Sequence, residues 1–397
     1  MFRAAFSKTP ARKPAKEKSA EYFKIHVYKG LLNMAFDKIK NNFGFGCMRL
    51  KMTDGEVDYS EFDRMLDRFI GAGFNYFDTA HGYIGGKSET AIRDCLSARY
   101  NREDFVLANK LSYWLFEKEE DIIPLFESQL KACGVDYFDF YIFHALNREA
   151  YLKHKKCNSF EVVKGLKAAG RIKHIAISFH DSADVLDMIL TEQPSVEAVQ
   201  LQLNYLDYDD PTIQSRACYD VAVKHGKKVM VMEPVKGGVL VNLPKSAADE
   251  LDSVGASSPA SFALRFAASF PAVFMVLSGM GSVEMVEENI KTFSDFTPFS
   301  EAEFSAAERA RAAIRRARLI PCTACGYCTD VCPKSIRIPE IFATYNEYLQ
   351  AKIARDEARK NLCGEHSAAD CIKCGKCEKI CPQSIEVRRY LEDSTKL

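Results

Sequence analysis

From about residue 43 the chain alternates short apolar runs with longer amphipathic segments. The runs fall at residues 43–46, 75–78, 105–108, 138–143, 174–177, 198–203, 228–232 and 272–277. Between them, spacings such as Phe62, Met65, Leu66, Phe69 and Ile70, or Val185, Leu186, Met188 and Ile189, gather apolar side chains on one helical face. Strand and helix thus alternate eight times, the pattern of parallel strands joined by crossover helices. Eight units within about 250 residues predict an α/β fold of the closed (β/α)8 TIM-barrel type. No Gly-x-Gly-x-x-Gly follows any run, which weighs against a doubly wound dinucleotide-binding sheet. The barrel is expected over residues 34–300.

Polar residues close most of these runs: Asp78, Lys110, His144, Ser178, Asn204 and Glu233. Barrel enzymes keep their chemistry at the C-terminal ends of the strands. The stretch Asp78-Thr79-Ala80-His81-Gly82-Tyr83 opens one such loop, and Asp78, Tyr83, Lys110 and His144 are expected to converge on one carbonyl. A carbonyl accepting hydride builds charge on oxygen and needs a proton near neutral pH. Tyr83 is the natural donor, Lys110 is expected to lower its pKa, Asp78 to orient Lys110, and His144 to position the oxygen. Each also has a plainer reading alone: a loop tyrosine, a surface lysine, a satisfied histidine, a helix cap. Tyr113 and Trp114 follow Lys110 closely enough to wall a substrate pocket, although Trp114 could equally pack a loop.

The ends of the chain break the rhythm. Residues 1–33 are Lys/Ala/Ser-rich and too polar to bury, which predicts a disordered tail, an upstream start misassigned ahead of Met34, or a basic organelle presequence. Residues 301–319 are rich in Ala, Arg and Glu and predict a solvated helix linking two domains. The 54 basic and 54 acidic side chains cancel, so no net charge draws the chain to nucleic acid or anionic lipid. No apolar run reaches the roughly 18–20 residues of a membrane span. A water-soluble, cytoplasmic protein is expected, with small molecules as partners.

The 14 cysteines sharpen the picture, because nine of them crowd between Cys322 and Cys381. Without a secretory signal this density predicts metal-bound thiolates in a reducing compartment rather than disulfides. Cys322-x2-Cys325-x2-Cys328-x3-Cys332-Pro333 recurs as Cys371-x2-Cys374-x2-Cys377-x3-Cys381-Pro382. Paired cysteines also make zinc sites, but zinc explains neither the third cysteine of each run nor the repeated Cys-Pro. The doubled run resembles the bacterial two-cluster ferredoxin, which implies a small α+β iron-sulfur domain over residues 320–397. By that resemblance Cys322, Cys325, Cys328 and Cys381 hold one [4Fe-4S] cluster, and Cys371, Cys374, Cys377 and Cys332 the other. Cys363 is left as a free thiol, and an insert near residues 339–360 is long enough for a helix, with Pro339 in its first turn.

The barrel resembles the aldo-keto reductase family in Gly44-Phe45-Gly46-Cys47-Met48-Arg49-Leu50, Asp78 to Tyr83, Gly86-Lys87-Ser88-Glu89, Lys110, His144 and Glu287-Glu288-Asn289. That resemblance implies an extended nicotinamide dinucleotide across the barrel top. Ser178 and Gln200 are then expected on the carboxamide, Gly237 beside the pyrophosphate, and Ser282, Glu288 and Asn289 on the adenosine. Residues 278–287 carry no Lys or Arg for a 2'-phosphate, so NADH and NADPH both stand, and Phe179 replaces the asparagine usual after the strand-five serine. The expected activity is hydride transfer between nicotinamide and a carbonyl or alcohol substrate. Because nicotinamide moves two electrons and a cubane one, alternatives remain: clusters that feed or drain electrons, with a flavin as intermediary or a redox partner protein, or an electron carrier without catalysis.

Overall fold

The computed structural model describes residues 36–397, so the expectations for residues 1–33 lie outside the described residues. Eight parallel strands close a barrel in the order β1 (Phe43–Gly46), β10 (Val273–Gly279), β9 (Lys228–Met232), β8 (Ala198–Gln202), β7 (Ile172–Phe179), β6 (Phe138–Leu146), β5 (Val106–Ser112) and β4 (Tyr76–Asp78). Each falls where an apolar run was expected, because a strand covered by helices outside and side chains inside needs no polar face. A small antiparallel pair, β2 (Met52–Thr53) and β3 (Glu56–Val57), was not anticipated. Its signal was Asp54-Gly55, whose positive φ values of 52° and 79° suit a tight hairpin turn.

The barrel axis is filled rather than hollow. Phe140 packs against Tyr76 and Phe274, with ring centroids 5.7 and 6.0 Å away, and the Tyr76 hydroxyl reaches Met230 Sδ at 3.1 Å. Outside, the helix Tyr59–Gly71 turns the expected stripe of Phe62, Met65, Leu66 and Phe69 inward. It begins where the Asp58 side chain accepts the Glu61 backbone N–H.

The helix expected as a solvated linker forms over Glu301–Arg316, but it is not solvated on every side. Ala306, Ala307, Ala310, Ala313 and Ile314 are buried in the barrel's own hydrophobic cluster. Its arginines pair with barrel carboxylates: Arg309 with Glu250 at 2.6 Å and Arg311 with Asp209 at 2.8 Å. The alanine face, invisible as a hydrophobic stripe, is what lets the helix approach so closely.

Beyond it lies a second, smaller core of Ile320, Ile336, Ile338, Ile341, Phe342, Ile385, Val387 and Leu391. Helices Ile338–Leu349, with Pro339 in its first turn, and Arg355–Leu362 occupy the expected insert. Of the expected α+β tail the helices are present, and no strand is assigned between residues 320 and 397. Lys38–Leu397 form one compact unit.

Candidate functional site

Asp78 ends β4, and Lys110 lies within β5 rather than at its end. Both are buried, and Lys110 Nζ donates to Asp78 Oδ1 at 2.5 Å and to the Thr79 carbonyl at 2.8 Å. The ammonium lies 4.6 Å from the centre of the Tyr83 ring. Tyr83 starts the turn Tyr83–Gly86, and its ring meets that of His144 at 5.9 Å. The four residues singled out in the sequence are therefore neighbours.

The loop that carries Tyr83 is pinned from below. Thr79 Oγ1 and Ser88 Oγ are 2.7 Å apart, Ser88 donates to the Cys47 carbonyl, and His81 Nδ1 pairs with buried Glu89 at 2.7 Å. Glu89 also accepts from the Asn109 side chain, whose amide Oδ1 accepts the Lys110 backbone N–H. The Gly86–Glu89 motif thus acts by positioning β5 and the tyrosine loop.

The electrostatics differ from expectation at Tyr83. Burial raises its phenol pKa well above the usual range, and Asp78 and Glu233 push the same way. The Arg49 guanidinium pulls the other way without reversing this. Tyr83 consequently holds its proton at neutral pH. Burial, together with Lys110 and His180, keeps the His144 pKa well below its usual value. His144 is a neutral imidazole whose Nδ1 is 2.7 Å from Ser112 Oγ, so Nε2 is the nitrogen free to meet a ligand.

A cavity of about 490 Å³ opens above these groups. Asp78, Tyr83 and His144 line it, as do Ser178, Gln200, Gly237, Glu288 and Asn289 of the expected dinucleotide set. Gln200 donates to Asp78 at 3.4 Å, and Asn289 donates to Ser278 Oγ at 3.2 Å. Ser282 is not among the cavity-lining residues, and its hydroxyl caps the helix Val283–Ser294 by accepting from Met285 N. Trp114 packs 5.1 Å from His144, with Tyr113 edge-on behind it, and neither is among the cavity-lining residues.

Four lining residues come from beyond the barrel: Cys325, Tyr327, Pro382 and Gln383. Sequence reading had no means of placing them, because nothing local relates the cysteine runs to the strand ends. Arg49, Glu233 and His180 also join the site, each just beyond a strand that the pattern had located.

The cysteines separate into two hollows. One is lined by Cys322, Cys325, Cys328 and Cys381, the other by Cys332, Cys371, Cys374 and Cys377. Each takes three thiols from one run and the fourth from the other. Among the described residues no three such groups close around a single ion. Four thiols around a hollow fit a cubane of soft iron, whose corners rather than one centre bind the ligands. Cys363 is exposed and apart.

Comparison with known proteins agrees with this architecture. A model of the aldo/keto reductase family matches residues 42–312, and one of a 4Fe-4S dicluster domain matches residues 321–386. An uncharacterized oxidoreductase of Bacillus subtilis, YqkF, is 23% identical over 62% of this chain and 85% of its own. An aldo-keto reductase of Mycolicibacterium smegmatis is 28% identical over 46% of this chain and 62% of its own. Among solved structures, the holo form of an aldo-keto reductase from Bacillus halodurans superposes with a TM-score of 0.56 at 23% identity, covering 68% of this chain and 91% of that one. An aldo/keto reductase from Klebsiella pneumoniae, in complex with NADP and acetate, gives 0.56 at 19% identity, covering 68% and 90%.

Proposed function

The chain belongs to the aldo/keto reductase family and carries a 4Fe-4S dicluster domain, and from that premise we propose that it transfers hydride between a nicotinamide cofactor and a carbonyl or alcohol, with Tyr83 as the proton donor. The observation that carries this reading is the buried Lys110–Asp78 pair beneath the Tyr83 ring at the floor of the cavity. The bound nicotinamide supplies or takes the hydride; the remaining work falls to the protein. Tyr83, protonated at neutral pH, gives its proton to the carbonyl oxygen, and Lys110, held by Asp78 and Thr79, stabilises the phenolate that forms. His144 donates a hydrogen bond to the same oxygen through Nε2. Because it is neutral, it orients the carbonyl without competing as the acid.

Ser178 and Gln200 would hold the carboxamide, and Glu288 and Asn289, which line the same cavity, the adenosine. The two cysteine hollows are taken to hold two clusters, Cys322, Cys325, Cys328 and Cys381 binding one and Cys332, Cys371, Cys374 and Cys377 the other. Such clusters exchange single electrons when bound. A second reading, in which they supply or accept electrons for the barrel site, draws on Cys325 sharing the cavity wall with Tyr83.

The test is Tyr83→Phe. Carbonyl reduction is expected to fall by a factor of about 100 to 10,000, the usual contribution of a positioned acid, while iron content and cluster absorbance stay unchanged. Reduction at the wild-type rate would remove Tyr83 from the mechanism.

A further inference from the structure

The cavity has two walls of different origin. Tyr83, His144 and Gln200 belong to the barrel, whereas Cys325, Tyr327 and Gln383 belong to the iron-sulfur segment. Three sets of contacts fix the second wall. Arg49 Nη2 donates to the Thr323 carbonyl at 2.5 Å, and its guanidinium stands 3.7 Å from Glu233. Gly237, with φ of 59°, backs so closely onto the Thr323 backbone that a Cβ would have no room. Lys236, buried and paired with Asp207 at 2.7 Å, also donates to Gln383 at 2.7 Å, and Gln383 and Gln202 exchange amide hydrogen bonds at 2.8 and 2.9 Å.

Each of these contacts ends within two residues of a cysteine in the Cys322, Cys325, Cys328 and Cys381 set. Of their barrel partners, Arg49 and Gly237 also line the cavity, as do Gln383 itself and Glu233 beside Arg49. A molecule in the cavity therefore touches the groups that hold the cluster loop. The other hollow, around Cys332 and Cys371, shares no lining residue with the cavity.

We propose that the iron-sulfur domain completes the dinucleotide groove: the nicotinamide end binds between the barrel rim and the Cys322–Cys328 loop, against Tyr327, and its binding is felt at the adjacent cluster. This rests on the nicotinamide reading above. It adds that Tyr327 is a binding residue supplied by the second domain, and that dinucleotide affinity and the reduction potential of that cluster are linked. The linkage is reciprocal, so a potential shift on binding requires an equal change in affinity on reduction. For a one-electron centre a tenfold difference in affinity corresponds to 59 mV.

The experiment uses the anaerobically purified full-length holoprotein. Dinucleotide affinity is measured for NAD+ and NADP+ by fluorescence in wild type, Tyr327→Phe and Tyr327→Ala, with iron content checked in each. Cluster midpoints are measured by EPR-monitored redox titration with and without the dinucleotide that binds. The expected result is about tenfold weaker binding in Tyr327→Ala, a smaller loss in Tyr327→Phe, which keeps the ring, and a shift of one midpoint with the other unmoved. Tight binding with both midpoints unmoved, or with unchanged affinity in iron-replete Tyr327→Ala, overturns the shared groove and leaves the nicotinamide reading standing. If neither dinucleotide binds the wild type, both fall.

Discussion

Tyr83 and His154 show how burial dominates the behaviour of single residues. Tyr83 keeps its proton because its phenol is out of water and near Asp78, whatever Lys110 contributes. On the proposed mechanism carbonyl reduction draws on the protonated phenol, so it should stay level through neutral pH and lose rate only above the ordinary tyrosine value of about 10. The reverse oxidation, which needs the phenolate, should rise with pH. A reduction limb near pH 7, in a profile of kcat/KM, would assign the proton to another group. His154 is fully buried among Phe116, Phe143 and Phe160, with no partner for either ring nitrogen, and its pKa is pushed down to about 3. The folded state keeps it neutral while the unfolded chain protonates it below about 6.5, so stability falls as pH drops between those values. His154→Leu should remove about 2 kcal/mol of the stability lost between pH 7 and pH 5, as read from urea midpoints.

Among the elements, the helix Glu301–Arg316 changed most between expectation and structure. It starts on a reciprocal cap, Ser300 with Glu303, and presents small residues to the barrel. Because those alanines mark a close approach, enlarging one should be costly. Ala310→Leu is expected to destabilise the protein by about 1–3 kcal/mol in denaturant titration, whereas an exposed site such as Arg316→Ala should be nearly neutral. An equal response at both positions would place the helix in solvent. The Gly86–Glu89 segment carries a related lesson. Its polar residues look like site chemistry in the sequence, yet Ser88 and Glu89 are spent on Thr79, Cys47, His81 and Asn109.

At the scale of the whole molecule, barrel and iron-sulfur domain are joined by buried polar contacts rather than by an apolar seam. Lys236 and Asp207 are each less than 5% exposed, and Gln202 and Asn204 also donate to Asp207 at 2.6 and 2.8 Å. Removing the lysine strands a buried carboxylate, a change that costs about 3–5 kcal/mol. Lys236→Met should lower the melting temperature and open residues 317–321 to protease, and adding Asp207→Asn should recover part of the loss. A Lys236→Met protein as stable and protease-resistant as wild type would show that the junction is held elsewhere.

The repeating runs, the strand ends and the two cysteine spacings were all legible along the chain, because a period or a short spacing is a local property. They were enough to foresee the barrel and the neighbourhood of Asp78, Tyr83, Lys110 and His144, whereas the crossed partition of eight cysteines into two sets was implied by the resemblance to two-cluster ferredoxins and not by spacing. The Asp54-Gly55 hairpin and the alanine face were also local signals, though weak ones beside longer hydrophobic stripes. Two things belonged to the tertiary structure alone: the raised Tyr83 pKa, and the meeting of Tyr327 and Gln383 with the barrel cavity. Each depends on burial or on contact between segments far apart in the chain, such as Gln202 and Gln383. Desolvation and long-range packing leave no period in a sequence, so they become visible only once the chain has closed on itself.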